Sequence, residues 1–238
     1  MIPVAASDRL SPYADALEAS LPGRLAGLYV VGGLALGDFS ARQSNLDLVV
    51  VCDPPLTAAE ARSVSGAERR LARAGRPAAI WHAGWDDLAD GSPGDPAAWP
   101  ELETPLTRAL LREEAIAYRG PDWPVVAFDE AEYRRWCRGA LTDLAGRVRG
   151  PMVMRRGVAS LVLGAARLAL GAVNGRVYSK SEAGQAAQAL VPNHFRRILL
   201  DAEGFRKGAS ASMYWGPFER KYDARQLIRR LVEAVDGS

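Results

Sequence analysis

Two short apolar runs separated by a pair of glycines constrain the fold of this chain more than any other feature. The first run, LAGLYVV, ends at Gly32-Gly33, and the second, LDLVVV, begins at Leu46. Continuous apolar runs of this length are typical of buried strands, and glycines directly after a strand indicate a tight turn. The sequence therefore predicts two buried strands of one sheet, with Asn45 and Asp47 at the start of the second.

The rest of the first half mixes helix and strand patterns. Ser11 is a predicted helix N-cap followed by proline, and Thr57 with Glu60 forms a predicted capping box. Thr104 is the predicted cap of a further helix, and PAAIWHAG and AIAYRG predict two more strands. The segment ADGSPGDPAAWP is predicted to be a loop.

The second half is predicted to be helical. Ser179 and Glu182 have capping-box spacing, and the segment SLVLGAARLALGAV is apolar nearly all round, which is typical of the central helix of a bundle. A predicted helix before it ends at Gly150-Pro151. The sequence thus predicts an α/β (α+β) fold with a mixed sheet in residues 1–128 and a helical bundle in residues 129–238.

The charge distribution changes at the same boundary. Residues 1–128 contain 11 Lys+Arg and 17 Asp+Glu, whereas residues 129–238 contain 19 and 11, although the whole chain is only +2. An acidic half joined to a basic half favours two units with an anionic ligand between them. Scattered solvated charge is the alternative interpretation.

Composition excludes several classes of function. The cysteines, Cys52 and Cys137, are not spaced for metal binding, and His82 and His194 are the only histidines, so a zinc site is not expected. No apolar run reaches the roughly 18 to 20 residues of a spanning helix, and the N-terminus lacks a signal-peptide pattern. We expect a cytoplasmic protein that binds small molecules, not membranes. Nucleic-acid binding is not expected either, because no basic tract with interleaved exposed aromatics is evident.

Asn45 and Asp47 suggest a metal site. Side chains at i and i+2 of a strand point to the same side, so two oxygen ligands at this spacing can share a divalent cation. Backbone N–H groups of the Gly32-Gly33 turn are suited to phosphate. The alternative is that Asp47 is an edge or capping residue and the glycines form an ordinary turn.

A family resemblance extends this motif. GGLALGDFSARQSNLDLVVV resembles the Gly-Ser…Asp-x-Asp signature of the DNA polymerase beta-like nucleotidyltransferases, and LALGDF is closest to the aminoglycoside adenylyltransferase-like branch that modifies streptomycin and spectinomycin. EAIAYRGP is similar to the segment that closes the first domain of that branch. LVLGAARLALGAVNGRVYSKSEAGQAA resembles its helical domain, where a TG-x-I-x-SK-x-x-A element recurs. The resemblance covers most of the chain in the same order.

The resemblance implies a two-domain enzyme with its active site in a cleft, in which AMP passes from ATP, with Mg²⁺, to a hydroxyl of a small molecule. The matching positions imply catalytic and metal-binding roles for Asp47 and Asn45. They imply nucleotide binding by Gly32, Gly33, Ser44 and Lys180.

The chain departs from the family pattern where the chemistry is carried out. Gly33 replaces the serine of Gly-Ser, and Asn45 replaces the first aspartate, so one ligand loses its negative charge. The third carboxylate of the family, its proposed general base, lies on the strand that PAAIWHAG matches, and this segment contains no acid. Asp86 or Asp87 could substitute, as could His82, although a single histidine on a buried strand usually has a packing role.

The acceptor side also differs from the family. Aminoglycosides are polycations, yet residues 151–175 contain no acid and carry Arg155 and Arg156. A cationic acceptor would be repelled, and a neutral, apolar or anionic one tolerated. The alternative is that both arginines are solvated or cap neighbouring groups. The substrate-binding candidates are Trp81, His82, Arg155 and Arg156.

Two sets of aromatic residues complete the prediction. Trp81, Trp85 and Trp99 suggest an apolar ligand near the first domain. The cluster MYWGPFERKY is predicted to be helix-packing core, with a flat apolar pocket or a base-stacking surface as the alternative. Three functions remain open: a divergent nucleotidyltransferase, the same fold repurposed for another small-molecule reaction, and a catalytically silent ligand-binding protein.

Overall fold

The computed structural model describes residues 2, 4–39, 44–73, 78–91, 102–147 and 154–237. The chain divides into two compact units, Met1–Phe128 and Asp129–Ser238. Trp99, most of the loop predicted before it and the predicted helix end at Gly150-Pro151 lie outside the described residues.

Unit 1 is built on a four-stranded mixed sheet. The strands are β1 (Leu25–Val31), β2 (Leu46–Cys52), β3 (Ala78–Ala83) and β4 (Ile116–Arg119), in the order β3-β2-β1-β4. β1 pairs antiparallel with β2 and β4, and β2 pairs parallel with β3. The prediction of an α/β fold with a mixed sheet is therefore confirmed, as are all four predicted strands.

Within the described part of unit 1, five α-helices accompany the sheet: α1 (Val4–Ser20), α2 (Gly32–Ala35), α3 (Ala58–Arg73), α4 (Trp85–Asp90) and α5 (Pro105–Glu113). The capping box before α3 is present, because the backbone N–H of Thr57 donates to Glu60 Oε2 at 2.9 Å and the Glu60 N–H donates to Thr57 Oγ1 at 3.3 Å. Thr104 caps α5 in the same way, accepting the N–H of Thr107 at 3.2 Å.

The predicted start of α1 is wrong. The helix begins at Val4 instead of after Ser11, and Pro12 lies inside it. Ala6 and Leu10, which precede the proline, are 2% and 0% exposed. Their burial provides the tertiary contacts that stabilise a helix extending past its local stop signal.

The two faces of the sheet have different roles because side chains alternate along each strand. On one face, Leu28, Val30, Leu48 and Val50 belong to a core cluster with residues of α1 and α3. The opposite face carries the residues between them. These include Tyr29, Val31, Asp47, Val49, Ala79 and Trp81.

Unit 2 is helical throughout its described part. Its α-helices are α6 (Glu130–Arg147), α7 (Arg155–Asn174), α8 (Lys180–Ala186), α9 (Arg196–Arg206) and α10 (Pro217–Asp236), with short 3₁₀ turns at Ala187–Ala189 and Asn193–Phe195. The predicted Ser179–Glu182 capping box precedes α8.

α7 is the central helix of unit 2. A Cβ atom at Gly171 would lie 2.8 Å from both Cys137 Sγ and Tyr133 Oη of α6, so the two helices approach closely at this glycine. Among the described residues, α7 alone has the length and hydropathy of a membrane-spanning helix. However, 67% of its most apolar stretch is buried inside the protein. This burial is typical of a core helix.

Candidate functional site

The carboxylate of Asp47 lies against the backbone of the glycine turn. In the β1–β2 ladder Val31 pairs with Asp47, so Gly32 follows directly beside it. Gly32 has φ +68°, and a Cβ atom there would lie 2.2 Å from Asp47 Oδ2. Only glycine satisfies both the left-handed backbone and this close approach. Gly32 and Asp47, which lie fifteen positions apart in the motif, are therefore in direct contact.

Asn45 and Ser44 complete the same end of β2. Asn45 precedes the strand and is exposed, Asp47 is half-buried, and Ser44 is 8% exposed. The two-residue period of the strand places Asn45 and Asp47 on one side. Asp47 and Ser44 both have interaction partners in the protein. This edge of the sheet thus brings together Gly32, Gly33, Ser44, Asn45 and Asp47.

The neighbouring strand supplies no acid to this edge. The β3 residue that pairs with Asp47 is Ala79. Asp87 is used locally, since its Oδ2 accepts the Gly84 N–H at 2.6 Å before α4, and Asp86 is exposed. Across the described ranges no group of three or more His, Cys, Asp or Glu side chains could hold a metal ion. Among the described residues, the strands therefore contribute one carboxylate, that of Asp47, to this edge of the sheet.

Trp81 is buried in unit 1. It shares the Asp47 face of the sheet but is 1% exposed, and the Arg108 guanidinium lies over its ring, 5.3 Å from the centroid. The predicted substrate contact by Trp81 stays a prediction, although its indole is covered by the protein in this structure. Trp85, the second of the tryptophans, packs edge-on against Tyr29 with 6.5 Å between ring centroids.

His82 lies on the other face of the sheet. It pairs in register with Val50, which belongs to the core cluster with α1 and α3, and its Nε2 is 2.6 Å from Glu68 Oε1. The His82 and Glu68 side chains are only 3% and 7% exposed. His82 and Trp81 therefore lie on opposite faces of the sheet, since consecutive strand residues point to opposite sides. The predicted substrate contact by His82 stays a prediction.

This position leads to a stability prediction. We expect His82→Ala to lower the free energy of unfolding by roughly 2 to 3 kcal/mol, because it leaves the buried Glu68 carboxylate without its hydrogen-bond partner. Urea titration measures the effect. The matched control is the other histidine, the exposed His194, whose replacement by Ala should change stability by less than about 0.5 kcal/mol. Equal effects of the two substitutions would contradict the structural role of His82.

Three other titratable side chains of the core are held in their neutral form. Burial, with the charge of Asp122, raises the pKa of Tyr29 to about 12, and its hydroxyl donates to the Pro121 carbonyl at 3.0 Å. Burial raises the pKa of Cys52 and of Cys137 to about 11. Both cysteines are free. Both thiols are buried in the core, and their raised pKa disfavours the thiolate.

The Arg155 side chain contacts several groups within unit 2. Its guanidinium donates to the Ala209 and Ser210 carbonyls at 2.9 Å and to Asp201 Oδ1 at 3.1 Å, and lies over the Phe205 ring. The predicted substrate contact by Arg155 stays a prediction, although Nη1 and Nη2 of its guanidinium are engaged with groups of unit 2 in this structure. The alternative interpretation, in which the arginine caps neighbouring groups, describes it.

Arg156 and Lys180 stay accessible. Arg156, on the first turn of α7, is exposed, and Lys180, the first residue of α8, has its Nζ 3.4 Å from Ser160 Oγ. Their predicted roles, substrate binding and nucleotide binding, stay predictions.

The prediction of packing core for MYWGPFERKY is wrong for most of its aromatic residues. Tyr214 is buried and donates to Asp223 Oδ2 at 2.7 Å. Trp215 is fully exposed, and large parts of Phe218, Tyr222 and Met213 are exposed as well. Single-sequence patterns mark such residues as apolar but do not show whether a partner element covers them.

Comparisons with known proteins identify the fold. No family model and no curated protein matches the sequence. Among solved structures, the chain is similar to the spectinomycin adenyltransferase AAD(9) from Enterococcus faecialis, solved with ATP and spectinomycin. The TM-score is 0.71 at 14% sequence identity, and the match covers 94% of this chain and 98% of that one. This chain therefore has an aminoglycoside nucleotidyltransferase-like fold.

Proposed function

We propose that this protein is a nucleotidyltransferase that moves AMP from ATP, with Mg²⁺, to a hydroxyl of a small molecule that is not a polycationic aminoglycoside. The observation that carries the proposal is the contact between Asp47 and Gly32. It holds a carboxylate against a glycine turn at the start of α2. The similarity of the fold to an enzyme solved with ATP and spectinomycin supports the same reaction class.

The residues at this edge fit one magnesium ion. Asp47 offers a carboxylate and Asn45 an amide oxygen, both hard ligands on one side of β2, and Mg²⁺ in phosphoryl-transfer sites often has only one or two carboxylates plus substrate phosphates. The Ala79 methyl beside Asp47 adds no ligand. A bound Mg²⁺ would neutralise charge on the ATP phosphates.

In this proposal the chain itself positions the nucleotide and supplies backbone N–H donors for its phosphates. Gly32 and Gly33 begin α2, and the first turn of a helix has N–H groups without intrahelical acceptors, which are suited to phosphate oxygens. The absence of a side chain at Gly32 leaves the space that the Asp47 carboxylate occupies.

The acceptor is proposed to be neutral or anionic. The described part of α7 contains no acid, and Arg156 at its start is exposed. Arg155 does not strengthen this argument, since Asp201 balances its charge. The proposed preference for a neutral or anionic acceptor therefore rests on the absence of acids in α7 and on the exposed Arg156. A small-molecule partner and a cytoplasmic setting belong to the same proposal.

Calorimetric titration with Mg²⁺-ATP tests the proposal, followed by a screen for AMP transfer to small hydroxyl compounds. We expect Asp47→Ala to weaken binding at least about 100-fold, because it removes the charge nearest the metal. The matched control is Asp53→Ala, an exposed aspartate just beyond the other end of β2, which should bind as the unaltered protein does.

A second variant tests the metal site. Asn45→Asp should raise Mg²⁺ affinity about tenfold or more by restoring a second negative ligand. Failure of the unaltered protein to bind at millimolar ATP would contradict the proposal. Unchanged affinity in Asn45→Asp would show that this edge does not hold the metal.

A second candidate function is the same fold used for another small-molecule reaction or for binding without catalysis. The observation in its favour is the lack of an acid next to Asp47, where β3 presents Ala79. Density for a metabolite beside Asp47 in soaked crystals, combined with the absence of ATP binding in calorimetry, would support this candidate over nucleotidyl transfer.

A further inference from the structure

The first four turns of α10 carry an exposed stripe of two aromatic residues followed by two arginines. Phe218 and Tyr222 are 77% and 62% exposed, and Arg225 and Arg229 are exposed as well. Spacings of four, three and four residues place all four side chains on one side of a helix. We call these residues the α10 stripe. Trp215, just before the helix, enlarges the apolar end and is fully exposed.

The positive charges of Arg225 and Arg229 are not neutralised by ion pairs with described residues of the chain. In the described part of the protein, neither Arg225 nor Arg229 has an ion-pair partner. Acids in the first half of α10 are already engaged, since Glu219 pairs with Arg197 at 2.6 Å and Asp223 accepts the Tyr214 hydroxyl. The stripe therefore presents aromatic rings and free guanidinium groups side by side.

Aromatic and arginine side chains are the types enriched at protein interfaces, and a guanidinium over a ring face is attractive. Unit 2 already uses this contact: the Arg197 guanidinium lies 4.0 Å from the Tyr214 ring centroid. Unlike a nucleic-acid surface, the stripe does not interleave rings and basic groups. The rings occupy its N-terminal half, and the arginines occupy its C-terminal half.

This segregation makes the stripe complementary to itself. Phe218 and Arg229 are equally distant in sequence from the midpoint of the stripe, and so are Tyr222 and Arg225. Two copies of the helix placed antiparallel about a two-fold axis at that midpoint bring each ring of one copy opposite an arginine of the other. A contact of this kind closes after two copies, as in the commonest class of oligomer.

We propose that α10 is the interface of a homodimer, in which two copies pair their stripes antiparallel. Each Phe218 faces the Arg229 of the second copy, and each Tyr222 faces the Arg225. The exposed rings of Phe218 and Tyr222 contribute roughly 300 Å² of surface per copy, and the arginine stems opposite them add to it. An interface of this size is typical of a weak, transient contact.

Sedimentation velocity of the full chain, over roughly micromolar to millimolar concentrations, tests the proposal. We expect a dimer. Phe218→Arg, which sets arginine against arginine at two symmetric places, should raise the dissociation constant at least about 100-fold. The double variant Phe218→Arg/Arg229→Phe exchanges the two partners and should restore the dissociation constant to within about tenfold.

The design includes controls for folding and for surface charge. Both altered positions are exposed, so circular dichroism and thermal melting of the variants should match those of the unaltered protein. Arg230→Ala removes an exposed charge one position away from the stripe and should leave the dimer intact. A monomer at all concentrations would overturn the proposal, whether or not it binds an acidic peptide or an oligonucleotide. Persistence of the dimer in Phe218→Arg would overturn it as well, and so would failure of the double variant to restore pairing.

Discussion

Asp201→Ala is expected to lower the free energy of unfolding of unit 2 by about 3 to 5 kcal/mol, because it leaves two arginines without their partner. Asp201 is 2% exposed, and its carboxylate lies 3.1 Å from Arg155 Nη2 and 3.3 Å from Arg220 Nε. It also accepts the Met213 N–H at 2.8 Å and the Ser212 hydroxyl at 2.9 Å. The carboxylate thus connects the start of α7, the segment before α10 and α10 itself.

Glu219→Ala is the control that separates the effect of burial from the effect of losing an ion pair. Glu219 also pairs with an arginine, Arg197, at only 2.6 Å, but the two side chains are 45% and 37% exposed. We expect a loss below about 1 kcal/mol, because water screens an exposed pair. Urea denaturation followed by helical circular dichroism measures both variants. Similar losses in Asp201→Ala and Glu219→Ala would refute the role assigned to the buried cluster.

Gly32→Ala is expected to destabilise unit 1 by about 3 kcal/mol and to move the Asp47 carboxylate. The left-handed backbone at φ +68° disfavours alanine by roughly 1 to 2 kcal/mol. The added Cβ, 2.2 Å from Asp47 Oδ2, forces a shift whose cost is about 1 to 3 kcal/mol. If Asp47 holds a metal-bound nucleotide, the same substitution weakens Mg²⁺-ATP binding.

Gly37→Ala is the control that separates the cost of left-handed backbone strain from the cost of a clash with Asp47. Gly37 follows α2 and has φ +66°, and a Cβ atom there would meet no atom of the described residues within 4 Å. Its substitution should cost only the strain, about 1 to 2 kcal/mol, and leave nucleotide binding unchanged. Denaturant titration and calorimetry on both variants provide the measurement. If Gly37→Ala were as harmful as Gly32→Ala, the contact with Asp47 would not be the cause.

Local signals in the sequence predicted the elements that depend on local physics. The capping boxes at Thr57 and Ser179 form as predicted because their hydrogen bonds join residues three positions apart. The strands follow from continuous apolar runs. The start of α1 could not be predicted in this way, since its extension past Pro12 depends on the burial of Leu10 against other elements.

The candidate site was predictable only in part. The motif indicated Gly32 and Asp47 together, and the structure brings them into contact. The alternating faces of β3 separate Trp81 from His82, which sequence proximity had grouped as substrate contacts. The Asp201 cluster left no signal, because its arginines lie 46 and 19 positions away and nothing in a single sequence links them.

The sequence by itself determined the strands, the helices that begin with a capping box, and the division into a mixed and a helical half. These features follow from hydrophobic periodicity, capping chemistry and motif spacing, which operate over a few residues. Only the tertiary structure decided which side chains are accessible. Arg155 is engaged with Asp201 and Trp81 is enclosed, whereas Trp215 and Phe218 are exposed. The physical reason is that burial and ion pairing depend on residues distant in the chain, whose positions are set only when the elements pack.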